Sequence, residues 1–165
     1  MKKILFIILL STAILSGCKK YEEGPYISFR PDNRRLMGEW LVTEYISNGI
    51  DSLQYFKDSC GANLGINELE DDNWQFIIGF GNSKKLYGGF GGVMDFTPNR
   101  KGLEITPFYN SYYGSYVIGP FSPNTKITWK LIKLTNKEFK MTIDVNNRSY
   151  KMSFKKITDS RGKPI

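Results

Sequence analysis

Glu138-Phe139-Lys140-Met141-Thr142-Ile143-Asp144-Val145 is the stretch whose pattern decides the fold. Phe139, Met141, Ile143 and Val145 alternate with Lys140, Thr142 and Asp144, and a period of two places every apolar side chain on one face of an extended strand. One face is then buried and the other wet, as in an antiparallel sheet with a core on one side. Asn146-Asn147 follows, a pair that tolerates positive φ, and the alternation resumes through Tyr150, Met152 and Phe154. Two alternating runs joined by such a pair form a β-hairpin.

Upstream, Ile127, Trp129 and Leu131 carry the same period, and a phase change at Ile132 and Leu134 predicts a bulge before a turn at Thr135-Asn136-Lys137. Earlier strands are expected at 39–47, 53–57, 74–80, 86–97, 103–108 and 115–121. Turn residues separate them, among them Asn48-Gly49, Gly81-Asn82-Ser83, Pro98-Asn99 and Ser122-Pro123-Asn124. No segment of this region shows a sustained helical period, so the class is all-β. About eight or nine short strands at regular spacing fit a sandwich or an up-and-down barrel, and closure of a barrel removes the exposed edges that would otherwise aggregate. Residues 36–165 are expected to form this one domain.

The chain opens differently. Lys2 and Lys3 precede an apolar run from Ile4 to Leu15 that falls well short of the roughly 18 to 20 residues needed to cross a bilayer. A basic start, a short apolar core and small residues at its end are the parts of an export signal. Leu15-Ser16-Gly17-Cys18 fills each slot of a lipobox, and the segment resembles those cut by lipoprotein signal peptidase. That resemblance implies removal of residues 1–17 and acylation of Cys18, with two or three chains making the anchor long-lived. Lys19 follows Cys18 where inner-membrane retention signals place Asp, which points to the outer membrane. Residues 18–35 are polar and hold Gly24, Pro25 and Pro31. They read as a flexible tether that would span about 20 to 25 Å.

Composition excludes several chemistries. The chain has no histidine, which removes the Ser-His-Asp and Cys-His arrangements and the commonest zinc ligand. No catalytic residue, metal site or cofactor is assigned. The formal charge of +7 falls by two when Lys2 and Lys3 leave with the signal, and the remaining Lys and Arg are spread along the strands rather than massed in a nucleic-acid motif. Nucleic acid is therefore not an expected partner. With Cys18 acylated, Cys60 is the one remaining thiol and is expected to be a buried small residue.

Gly38-Glu39-Trp40 opens the first strand of this domain, behind Arg35-Leu36-Met37 and ahead of Asn48-Gly49-Ile50-Asp51, and Trp129-Lys130-Leu131-Ile132-Lys133-Leu134 comes late in the chain. In these features the chain resembles the lipocalin-like lipoproteins of Gram-negative envelopes. The resemblance implies an up-and-down barrel of about eight strands. It also implies that Gly38 permits a tight entry, that Trp40 plugs the closed end, and that a cationic side chain of the last strand lies over Trp40. Lys155 or Lys156 stands where that family usually has arginine.

Three further segments bear on function. Glu68, Glu70, Asp71 and Asp72 form an acidic run that lacks the order of a calcium loop. Gly88-Gly89-Phe90-Gly91-Gly92 lacks the Lys-Ser/Thr that phosphate binding requires. The aromatic segment 108–116 offers Tyr109, Tyr112, Tyr113 and Tyr116 around a turn-forming centre, and tyrosine suits both an amphipathic ligand and a protein surface. The expectation is a membrane-anchored barrel that binds a small apolar or amphipathic molecule. An interaction module docked to another envelope protein, with its barrel filled by its own side chains, remains open, as does a glycan hydrolase built on two carboxylates.

Overall fold

The structure, a computed structural model, describes residues 20–23, 31–68, 76–81, 91–108, 119–122, 124–158 and 163–165. Among these, α1 (Asp32–Leu36) leads into β1 (Gly38–Ser47), and β2 (Ile50–Asp51) leads into α2 (Leu53–Cys60). The strands β3 (Asn63–Glu68), β4 (Phe76–Gly81), β5 (Gly91–Phe96) and β6 (Gly102–Pro107) follow. The chain then forms β7 (Ile127–Leu134), β8 (Glu138–Val145) and β9 (Arg148–Lys156). All pairings are antiparallel, and from β3 to β9 each strand bonds its neighbour in the chain. β1 bonds β3 at one edge and β9 at the other, so the pairings return to the strand where they began. The fold is all-β and up-and-down.

The closing hairpin forms as its sequence dictates. Asn146 and Asn147 have φ of 52° and 60°, the twisted two-residue turn that matches the natural twist of paired strands. Phe139 and Met141 are buried on β8, with Tyr150, Met152 and Phe154 on β9. The register shifts between Leu131 and Lys133, so that Ile127, Trp129 and Leu131 face the core before the bulge and Leu134 faces it after. β1 uses the same device between Val42 and Glu44. Trp40 and Val42 are buried before it and Tyr45 after it, which leaves Glu44 on the outer face beside Lys151 and Ser153.

Three expectations are corrected. Residues 53–57 were expected as a strand, but they begin α2, where Phe56 and Cys60 are buried and Leu53 packs beside them. Positions i, i+3 and i+7 share one face of a helix, and the Asp51 carboxylate accepts from the Leu53 N–H at 2.9 Å to start it. β3 was not expected at all, because its two core residues, Leu64 and Ile66, are diluted by Asn63, Gly65 and Asn67. Of 115–121, the described part is a turn at Gly119-Pro120 and a single bridge residue, Phe121. The other early strands are described at 38–47, 76–81, 91–96 and 102–107.

The tether differs too. Within 18–35, Tyr21, Asp32, Asn33 and Arg35 are buried. The Glu23 N–H donates to the Ile132 carbonyl at 2.8 Å, Lys20 pairs with Asp32, Glu22 pairs with Lys130, and Lys140 meets Glu23 at 2.6 Å. Burial, with Asp32 alongside, pushes the Tyr21 phenol well above its usual range. These contacts hold residues 20–23 and 31–35 against the barrel.

Candidate functional site

The barrel has two unlike ends. At the first, Gly38 enters β1 with a φ of 121°, a conformation that side chains rarely adopt. Two residues later Trp40 is fully buried. Its ring meets Phe139 edge to face at 4.8 Å, and Phe139 stacks on Phe154 at 4.0 Å. α1 lies across this end. Its last carbonyls have no partner within the helix, and the barrel supplies them: Trp40 Nε1 donates to the Leu36 carbonyl at 2.7 Å and Lys156 Nζ to the Arg35 carbonyl at 2.6 Å. Arg35 in turn donates to the Leu134 carbonyl at 2.8 Å and pairs with Asp32.

Lys156 Nζ sits 4.6 Å from the centroid of the Trp40 ring, where the negative face of the indole attracts a cation. The structure thus brings together Gly38, Trp40 and Lys156. Lys155, the other residue considered for this place, is exposed on the outer face. The parts that sequence reading missed are Arg35 and the two carbonyls that end α1. A Pro31-led helix start ahead of a buried Leu36 was the available signal.

At the opposite end, the turn of the β8–β9 hairpin, the start of β7 and the segment after Gly119 surround a cavity of about 390 Å³. Ile127, Val145 and Tyr150 give it an apolar wall, all projecting from the inner faces of their strands. Ser122, Thr125, Asn146 and Arg148 add polar groups at its rim, and Arg148 is the one charged residue among the described lining. Phe121 stacks on Trp129 at 5.4 Å and closes the interior beneath. Gly119 comes so near Tyr45 that a Cβ there would lie 2.1 Å from the tyrosine oxygen, and its φ of 60° also favours glycine. Trp129 Nε1 is buried with no acceptor among the described residues. Such a donor is costly to leave unbonded.

α2 flanks this end. Phe56 packs against Tyr45 at 4.7 Å, and Tyr45 lies 6.3 Å from Tyr150. Cys60, the last residue of α2, is buried, and burial pushes its thiol up to about 12. Burial, followed by the neighbouring Tyr150, also raises the Tyr45 phenol above its usual range. Cys60 is a packing residue here, not a reactive one. Cys18, Tyr109, Tyr112, Tyr113 and Tyr116 lie outside the described residues, as does the acidic run beyond Glu68 and the glycine run before Gly91. Among the described residues no group of three or more Cys, Asp or Glu side chains forms a metal site.

No family model matches the chain, and no curated protein matches it. The structure is similar to that of a lipocalin-like protein from Bacteroides uniformis, with a TM-score of 0.41, 15% identity, and coverage of 74% of this chain and 98% of the other. An uncharacterized protein from Bacteroides eggerthii matches with a TM-score of 0.38, 16% identity, and coverage of 71% and 97%. At this level the likeness speaks to neither ligand nor location.

Proposed function

We propose that this is an outer-membrane lipoprotein, anchored through Cys18, whose barrel binds a small amphipathic molecule with an anionic or polar head at the cavity between β7, β8 and β9. The observation that carries the reading is the pairing of one apolar wall, Ile127, Val145 and Tyr150, with one cation, Arg148, around about 390 Å³. Binding sites for small molecules are concave, mostly apolar and oriented by a few polar groups, and their volumes begin near 300 Å³. A guanidinium matches a carboxylate in a two-point contact.

Titration of the detergent-solubilised full chain with 1-anilinonaphthalene-8-sulfonate, an amphipathic anion that brightens in apolar surroundings, tests the reading. Saturable binding displaced by decanoate is expected. Val145→Trp, which fills the cavity, and Arg148→Gln should each weaken binding at least about tenfold, equivalent to about 1.4 kcal/mol. Unchanged affinity in both variants would refute the site. The anchor has its own test: Cys18→Ala should move the protein from the membrane to the soluble fraction.

The interaction-module reading is favoured by one observation. Ile50 and Tyr55, on β2 and α2, are large apolar side chains left 69% and 63% exposed, the kind of surface that a contact with another protein would cover. Changing both to Asp should abolish recovery of a crosslinked envelope partner while leaving probe binding intact. Retained crosslinking would remove this reading.

A further inference from the structure

The segment just after the anchor is not separate from the barrel. Lys20 pairs with Asp32 of α1, Tyr21 is buried, and the Glu23 N–H is bonded to Ile132 on β7. Lys20 is therefore fixed where α1 covers the end of the barrel filled by Trp40. Cys18 stands two residues earlier, and two residues reach at most about 7 Å. An acylated Cys18 would hold that end of the barrel at the headgroups.

The chemistry of that end suits such a surface. Arg34 on α1, Arg100 and Lys101 in the β5–β6 turn, Lys137 in the β7–β8 turn and Lys155 are all exposed there. Of the exposed acids nearby, Glu22, Glu23, Glu39 and Glu138, three are engaged by lysines: Glu22 by Lys130, Glu23 by Lys140 and Glu138 by Lys133. Basic side chains held close to a membrane are attracted to anionic lipid within about 10 Å. The cavity lies at the far end of the same strands. β8 runs from Glu138 to Val145, a rise of about 20 to 25 Å.

We infer that the α1 end of the barrel is a membrane-docking face, seated on the anionic headgroups of the leaflet that holds the acyl chains, with the cavity opening toward water. The inference rests on the acylation of Cys18 proposed above, and it means that ligand reaches the cavity from the aqueous side, not laterally from lipid.

The test uses the full chain purified from membranes and reconstituted into vesicles of phosphatidylglycerol and phosphatidylcholine. Fluorophores are placed singly at Lys137→Cys, beside α1, and at Ser149→Cys, beside the cavity; the buried Cys60 thiol does not compete. Lipid carrying a nitroxide on its headgroup should quench the first several-fold more than the second. Arg34→Glu with Lys101→Glu should reduce that contrast at least twofold, and Tyr21→Ala should reduce it by loosening residues 20–23 from the barrel. Equal or reversed quenching in protein whose intact mass shows an acylated Cys18 overturns the docking face alone. Protein without acyl chains that fails to bind vesicles overturns the anchor and the docking face together.

Discussion

The two ends of the barrel are built from the same four strands, β1, β7, β8 and β9, and differ in what fills them. At the α1 end, Trp40, Phe139 and Phe154 occupy the interior, and Lys156 and Trp40 Nε1 meet the last carbonyls of α1. At the cavity end, Ile127, Val145 and Tyr150 line open space and Arg148 stands at the rim. Strand period alone does not separate the two, because both ends alternate faithfully. What separates them is how the inner face is filled: the rings of Trp40, Phe139 and Phe154 pack on one another under α1 in the first, whereas Ile127, Val145 and Tyr150 stand around open space in the second. The first end should therefore govern stability and the second binding.

Substitutions at the two ends sharpen or break this division. Trp40→Ala should have the largest effect, a loss of about 3 to 5 kcal/mol in urea denaturation, with probe affinity unchanged in the protein that remains folded. A loss below about 1 kcal/mol would show that the ring does not hold the barrel shut. Lys156→Met should cost about 1 to 3 kcal/mol, because it leaves the Arg35 carbonyl buried without its donor. Lys156→Arg should recover more than half of that. Val145→Trp should do the reverse of Trp40→Ala, removing probe binding while changing stability by no more than about 1 kcal/mol.

Smaller effects follow from titration. Cys60 and Tyr45 have folded values raised above those of the unfolded chain, 9.0 and 10.0, so their contribution is complete below pH 9 and is lost as pH rises toward the folded values. Melting temperature should fall above about pH 9, and Cys60 should react with Ellman's reagent at pH 8 only after denaturation. For Glu44, burial alone would raise the carboxyl, but the Ser153 hydroxyl and Lys151 hold it below its usual value of 4.5. Its contribution is present above that pH and fades as pH falls through the lower folded value, an effect that Glu44→Gln should remove from acid-denaturation curves. An unchanged acid limb would show that this outer-face pair is screened by solvent.

Much of the architecture was legible in residues whose period was undiluted. The β8–β9 hairpin and the bulge at Ile132 follow from alternation and a single dipeptide turn, while the core role of Trp40 was legible only through the resemblance carried by Gly38-Glu39-Trp40. α2 was not legible as a helix because Leu53, Phe56 and Cys60 mark a helical face with only three residues, while Tyr55 and Phe56 read as strand formers. β3 was hidden by Gly65 and two asparagines, which weaken strand preference but are tolerated where both neighbours, β1 and β4, satisfy the backbone. The packing of residues 20–23 rests on long-range pairs with Lys130, Lys140 and Ile132, which no local pattern encodes. The cavity was the least legible part. Val145 and Tyr150 read as ordinary core positions, and only the third dimension shows that Ile127 and Arg148 meet them around a space.

Decanoate added to isotopically labelled protein, followed by amide chemical-shift mapping, tests the division of the barrel most directly. Shifts concentrated at Ile127, Val145, Arg148 and Tyr150, with Trp40, Phe139, Phe154 and Lys156 unmoved, are expected. Shifts centred on the α1 end, or none at saturating ligand, would contradict a barrel that is plugged at one end and receptive at the other.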